Sequence, residues 1–238
     1  NALAQNNLTL SGTSILDLNG FSQNAKQFGG DITSKVQSTG TLGSLIVGSG
    51  NSTSTYAGQI VSTGGNIALE KVGTGTLRLT GANTYSGGTV VNNGELKVDG
   101  SIAASLVTVN SGGSLSGSGS VGGVSGAGSI NPGNSPGILT APWINPGDGM
   151  FLNFEITGTK PAYSLASNSV NDVLRLTSAN PIAAAMTSAN QVNFYFDMAS
   201  VDMTEAYLGG IYTDDQRTSP TSFRTRPSTT MSRTTRAR

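Results

Sequence analysis

The side chains with most capacity for chemistry are eight carboxylates in the second half of the chain: Asp148, Glu155, Asp172, Asp197, Asp202, Glu205, Asp214 and Asp215. Two carboxyl groups held about 5 to 10 Å apart cleave glycosidic bonds, one protonating the leaving oxygen while the other attacks or activates water. Stacked parallel strands bring carboxylates together from distant positions, so a polysaccharide lyase or hydrolase is one expectation. These residues, however, stand mostly at strand ends and turns, where the ordinary role of a carboxylate is solvation. The sequence therefore points away from an enzyme, and no catalytic residue is assigned.

Other chemistries are excluded more sharply. The chain has no cysteine and no histidine, which removes disulfides, thiol nucleophiles, Cys/His zinc sites and every His-dependent triad. Asp214-Asp215 lacks the spacing of an oxygen cage of six to eight ligands, so no metal and no cofactor is expected. Gly73 and Gly75 form a Gly-x-Gly that leads into a strand pattern and not a helix, unlike a phosphate loop. Tyr56, Tyr85, Trp143, Tyr163 and Tyr195 would stack sugars if exposed in a row, but packing in a core or turn is the favoured reading.

The elements that position these residues are short strands. Leu8-Thr9-Leu10, Leu16-Asp17-Leu18, Ile67-Ala68-Leu69, Leu77-Arg78-Leu79, Leu96-Lys97-Val98 and Val107-Thr108-Val109 each place two side chains on one face and one on the other. Between them lie Asn19-Gly20, Gly29-Gly30, Gly64-Gly65, Gly87-Gly88, Asn93-Gly94 and Gly112-Gly113, all suited to tight turns. The 33 glycines are about twice average usage, and 11% charged residues leave little for solvated helix faces. An all-β fold follows, either a parallel β-solenoid or a β-sandwich. Scarce aromatics (6%) favour the narrow core of a solenoid. Asn is abundant at turns, where stacked amides can pair in ladders.

Three regions are expected. Residues 1–142 read as a Gly/Asn/Ser-rich solenoid, with Leu115, Val121, Val124, Ile130 and Ile138 as the core of thin coils through the near low-complexity stretch that runs to Gly137. Residues 143–216 are richer in aromatics and read as a wider terminal section, with a short helical turn over Ile182 to Met186. Residues 217–238 hold Arg217, Arg224, Arg226, Arg233, Arg236 and Arg238 and no acid, leaving seven bases against thirteen acids in the rest. This basic tail cannot build a core. It reads as an arm contacting the acidic body of a neighbouring subunit or another acidic partner, as a disordered end, or as a stretch out of frame. Ala2-Leu3-Ala4 is similar to the small-x-small end of a signal peptide. No apolar run reaches the roughly 18 residues a membrane helix needs.

The stretch Gly73 to Val98, GTGTLRLTGANTYSGGTVVNNGELKV, resembles the autotransporter-associated β-strand repeat, and INPGNSPGILT after it is similar to what trails that repeat, so the likeness covers Gly73 to Thr140. NDVLRLT at Asn171 to Thr177 resembles the strand-rich section that follows such repeats. The resemblance implies a right-handed parallel β-helix, export across a bacterial envelope, and a role at the cell surface or in a released fibre. The pattern departs from a complete autotransporter in that no membrane β-barrel follows, so the chain reads as a cleaved passenger, a fragment or a relative exported otherwise. Two functions are expected beside the less favoured enzyme: a structural subunit forming a homo-oligomer or filament head to tail, and a monomeric adhesin-like passenger that binds glycans or matrix. No nucleic-acid partner is expected.

Overall fold

The computed structural model describes residues 6–134, 137–156, 172–179, 181–182, 184 and 186–196. Among them no helix forms, and none is long and apolar enough to cross a membrane. Parallel strands stack into a β-solenoid of about seven turns. The alternative of a β-sandwich fails on the pairing itself: every pairing between strands is parallel, and the one antiparallel contact among the described residues is an isolated bridge between Gly117 and Gly133.

Each coil has three faces. On the first, Leu77, Leu96, Leu115, Ile130 and Leu152 follow one another in register, one per coil, all pointing inward. Another face stacks Leu45, Leu69, Thr89, Val107, Val124 and Ile144. The remaining face is split into Ile15–Asp17, Lys35–Ser38 and Gln59–Ser62 at one end and Ser101–Ile102, Ser120–Val121, Ile138–Ala141 and Val173–Leu176 at the other. Period-2 alternation drives this arrangement, because a slip of one residue would turn every apolar side chain out to water. Parallel stacking of like on like then gives one continuous core down the axis.

Two long strands, Thr89–Val98 and Val107–Gly117, turn the corner between faces and so belong to both. The register shifts after Val91, where Val91 to Asn93 on the one strand faces Val109 to Gly112 on the other. The extra residue lies on Val107–Gly117 and bends it in the manner of a β-bulge.

The thin coils expected before Gly137 are present, with Leu115, Val121, Val124 and Ile130 all buried. Ile138 corrects that reading: it is half-buried, and its neighbour Leu139 points into the core, in register with Leu174. Ile182 likewise does not open a helical turn. It pairs in parallel with Ile144, whose N–H bonds the Pro181 carbonyl at 2.8 Å, adding one more rung to its column.

Candidate functional site

Three polar devices in and around Gly73 to Val98 explain its residue types. The first is Asn83. Between the two halves of the split face no strand forms, and the Asn83 side chain takes its place: Oδ1 accepts the Ile60 N–H at 2.8 Å, while Nδ2 donates to the carbonyls of Gly81 and Ser101 at 2.9 and 3.0 Å. One amide thus satisfies backbone groups of the coils before and after it, as buried peptide groups require.

The second device is a fully buried hydroxyl chain. Ser105 Oγ donates to the Gly87 carbonyl at 2.6 Å, so Thr89 must donate to Ser105 at 2.7 Å and Tyr85 to Thr89 at 2.7 Å. Burial, the dominant cause, pushes the Tyr85 phenol well above its ordinary pKa. Replacing Tyr85 with phenylalanine is expected to cost about 1 to 2 kcal/mol, because the Thr89 hydroxyl loses its donor inside the core. Urea unfolding followed by circular dichroism would measure this, and a midpoint equal to wild type would remove the chain's stabilising role.

The third is Lys71, which occupies an inward position in register between Val47 and Val91 and is 1% exposed. Its ammonium reaches the corner and donates to the carbonyls of Val72 and Gly73 at 2.8 Å and of Asn93 at 3.2 Å. All three donors are used. Desolvation pulls its pKa down, and the charge of Glu95 partly restores it.

A polar groove of about 320 Å³ opens on the outer side of the first face. Glu95, Lys97, Asn131, Asn153, Glu155 and Asp172 contribute its charges and amides. Of the carboxylates singled out in the sequence, Glu155 and Asp172 meet here. Asp148 does not; it is exposed and accepts the Thr187 hydroxyl at 2.9 Å. Asp172 Oδ1 accepts the Gly137 N–H at 3.1 Å and Oδ2 the Glu155 N–H at 3.0 Å. Burial pushes its carboxyl up to about 6; the Glu155 charge adds to this, and the two amide bonds oppose it. Glu95 binds the hydroxyls of Thr76 and Ser116 at 2.8 and 2.5 Å. These two carboxylates therefore serve the fold directly. Farther along, burial works against the charge of Asp99, yet bonds from Asn134, Arg78 and the Ser118 N–H hold it below the usual range.

Stacked amides pair at a corner, where Asn110 donates to Asn92 at 2.6 Å, and a longer ladder forms within strands. Asn153 donates to Asn131 at 2.7 Å and Asn193 to Asn153 at 2.8 Å, all three on the outer side of successive strands. The signal is present as a repeated apolar-Asn step at Ile130-Asn131, Leu152-Asn153 and Val192-Asn193. Tyr56 and Tyr85 are buried, and Tyr56 stacks on Phe28 with ring centroids 4.2 Å apart, so neither belongs to an exposed sugar-binding row. Trp143 lies against Gly123, where a Cβ would come within 2.1 Å of its ring. Tyr163, the Tyr195 side chain, Asp197, Asp202, Glu205, Asp214, Asp215 and the six tail arginines lie outside the described residues. Among the described residues no group of three or more acids is placed to hold a metal ion.

Coils that share one core, an amide standing in for a strand and a lysine closing a corner together define a parallel β-solenoid. Residues 69–98 match the passenger-associated-transport-repeat, so this chain carries that repeat of autotransporter passengers. Over 77 residues it is 49% identical to the extracellular serine protease of Serratia marcescens, covering 32% of this chain and 7% of that protein. Over 72 residues it is 46% identical to the adhesin BmaC autotransporter of Brucella suis biovar 1 (strain 1330), covering 28% of this chain and 2% of that protein. The chain thus spans a small part of the length of the relatives it matches. No solved structure matches it.

Proposed function

We propose that this chain is a structural segment of a secreted bacterial passenger, a β-solenoid at the cell surface or in a released fibre, with no catalytic role. The observation that carries this is the unbroken inward register from Leu77 to Leu152, in which polar side chains with defined partners, Asn83, Lys71 and Asp172 among them, bind backbone of the stack itself. A chain so organised transmits shape along an axis. In this reading copies stack head to tail through their coil ends, since the backbone groups of an end coil recruit another strand. Arg217, Arg224, Arg226, Arg233, Arg236 and Arg238 then serve as the subunit contact, drawn to the acidic body of the next copy.

Negative-stain electron microscopy of the purified chain, with and without residues 217–238, tests this. Fibres that shorten or vanish on deletion of the tail are expected. Isolated rods in both samples would overturn assembly and favour a second reading, a monomeric adhesin-like passenger binding glycan or matrix. That reading is supported by the polar groove around Asn131, Asn153 and Glu155.

A further inference from the structure

Trp143 is the single tryptophan of the chain, and it stands on the face that stacks Val107, Val124 and Ile144. Trp143 and Asn145 flank the buried Ile144, so both side chains point outward. On the two preceding coils Gly123 and Ser125 flank Val124, and Leu106 and Thr108 flank Val107. The register stacks these pairs in two outer columns, Leu106, Gly123 and Trp143 in one and Thr108, Ser125 and Asn145 in the other.

The indole lies along the sheet instead of standing up from it. A Cβ placed on Gly123 would meet Cζ2, Cε2 and Cη2 of the ring at 2.1, 2.2 and 2.6 Å. Three ring atoms so nearly equidistant from one point mean that the ring presents its face to the glycine and not its edge. A larger residue at 123 would lift the ring off. Its other face is turned outward, Trp143 being only half-buried, and Leu106, 59% exposed, extends the apolar surface by one coil.

Polar groups without partners border this platform. The indole N–H donates to no group among the described residues and is not shut away from solvent, and the Asn145 amide is exposed and equally unbonded there. The Thr108 and Ser125 hydroxyls lie 3.4 Å apart, a long contact that leaves both able to bind elsewhere. The two columns are about 7 Å apart and their rungs about 4.8 Å, the reach of one sugar ring and its hydroxyls. None of the six residues is charged.

We propose that Trp143 is the stacking platform of a glycan subsite that takes an uncharged, β-linked pyranose of gluco configuration. Every ring substituent of such a sugar is equatorial, so its faces carry only C–H groups and fit the indole, while rim hydroxyls reach Asn145, Ser125 and Thr108. The lack of charge matches a neutral sugar and not a uronate or a phosphate ester. The inference rests on the second reading above, that of a glycan binder, and places the sugar on a different face from the polar groove.

Titration of the full chain with cellotetraose and with chitotetraose tests this, followed by tryptophan fluorescence, which reports this site alone because there is no other indole. A saturable change is expected with one or both sugars, half-complete on the order of 1 mM. Saturation-transfer NMR, which needs no indole, then compares variants. Trp143→Ala is expected to weaken binding about tenfold, and Asn145→Ala about fivefold for the loss of one hydrogen bond. Asn153→Ala, in the groove, leaves it unchanged. No fluorescence change with either sugar overturns the proposal, as does unchanged affinity in Asn145→Ala, the variant that decides where Trp143→Ala does not fold. Binding that survives Trp143→Ala but is lost in Asn153→Ala also overturns it, and leaves the glycan reading standing with the groove as its site.

Discussion

Alanine at Gly73 is expected to lower the thermal midpoint by about 10 °C or to prevent folding, a large effect for one added methyl group. Gly73 has φ 69°, and a Cβ there would lie 2.0 Å from the Gly48 carbonyl oxygen and 2.7 Å from Asn51 Oδ1. The conformational part is about 1 to 2 kcal/mol. The larger part is the clash, because the obstacle is backbone of the preceding coil and cannot rotate away. Separating coils at this corner also strains the bonds Lys71 makes to the Val72 and Gly73 carbonyls. A total of about 3 to 5 kcal/mol corresponds to about 10 °C for a chain of this size. Gly12→Ala is the control: Gly12 has φ 58°, yet a Cβ there meets nothing within 4 Å. It should cost only about 1 kcal/mol. Equal losses for the two variants, measured by circular dichroism on heating, would show that strain at positive φ and not coil contact sets the penalty.

Methionine at Lys71 is expected to destabilise the chain by about 2 to 3 kcal/mol. The substitution keeps an unbranched apolar stem between Val47 and Val91 but deprives three corner carbonyls of their donor. Each buried acceptor left unsatisfied costs about 1 to 3 kcal/mol. Against this, removing a cation whose burial already disfavours its charge returns part of the loss. Guanidinium unfolding at pH 7 decides between these terms. A midpoint at or above wild type would mean that desolvation of the ammonium outweighs its three bonds.

The two variants probe what is least legible in the sequence. Period-2 triplets such as Leu77-Arg78-Leu79 announce their own faces, because alternation is local and burial follows from it. The same alternation misplaces Ile138, where adjacent Ile138 and Leu139 offer two equally apolar phases and only pairing with Val173–Leu176 selects one. The role of Lys71 is hidden since a lysine beside Glu70 reads as solvent-facing, and nothing nearby in the chain reveals that its ammonium ends among carbonyls, one of them at Asn93. The duty of Asn83 is obscure for a related reason: its partners are Ile60 and Ser101, each about a coil away. The meeting of Asp172 with Glu155 and Gly137 joins positions separated by up to 35 in the chain, which no local pattern announces. Local pattern thus specifies which way side chains point, whereas the polar partners come from the stacking register.

That register tolerates unequal lengths of chain. Neighbouring rungs of the asparagine ladder are 22 residues apart in one step and 40 in the next, yet both amide bonds form, at 2.7 and 2.8 Å. The solenoid therefore behaves as a ruler whose graduations are set by strand spacing and not by the thread wound around it. New sequence can be spliced in between graduations without changing the scale, which makes the turns the natural points at which such a protein would acquire, lose or display foreign peptide.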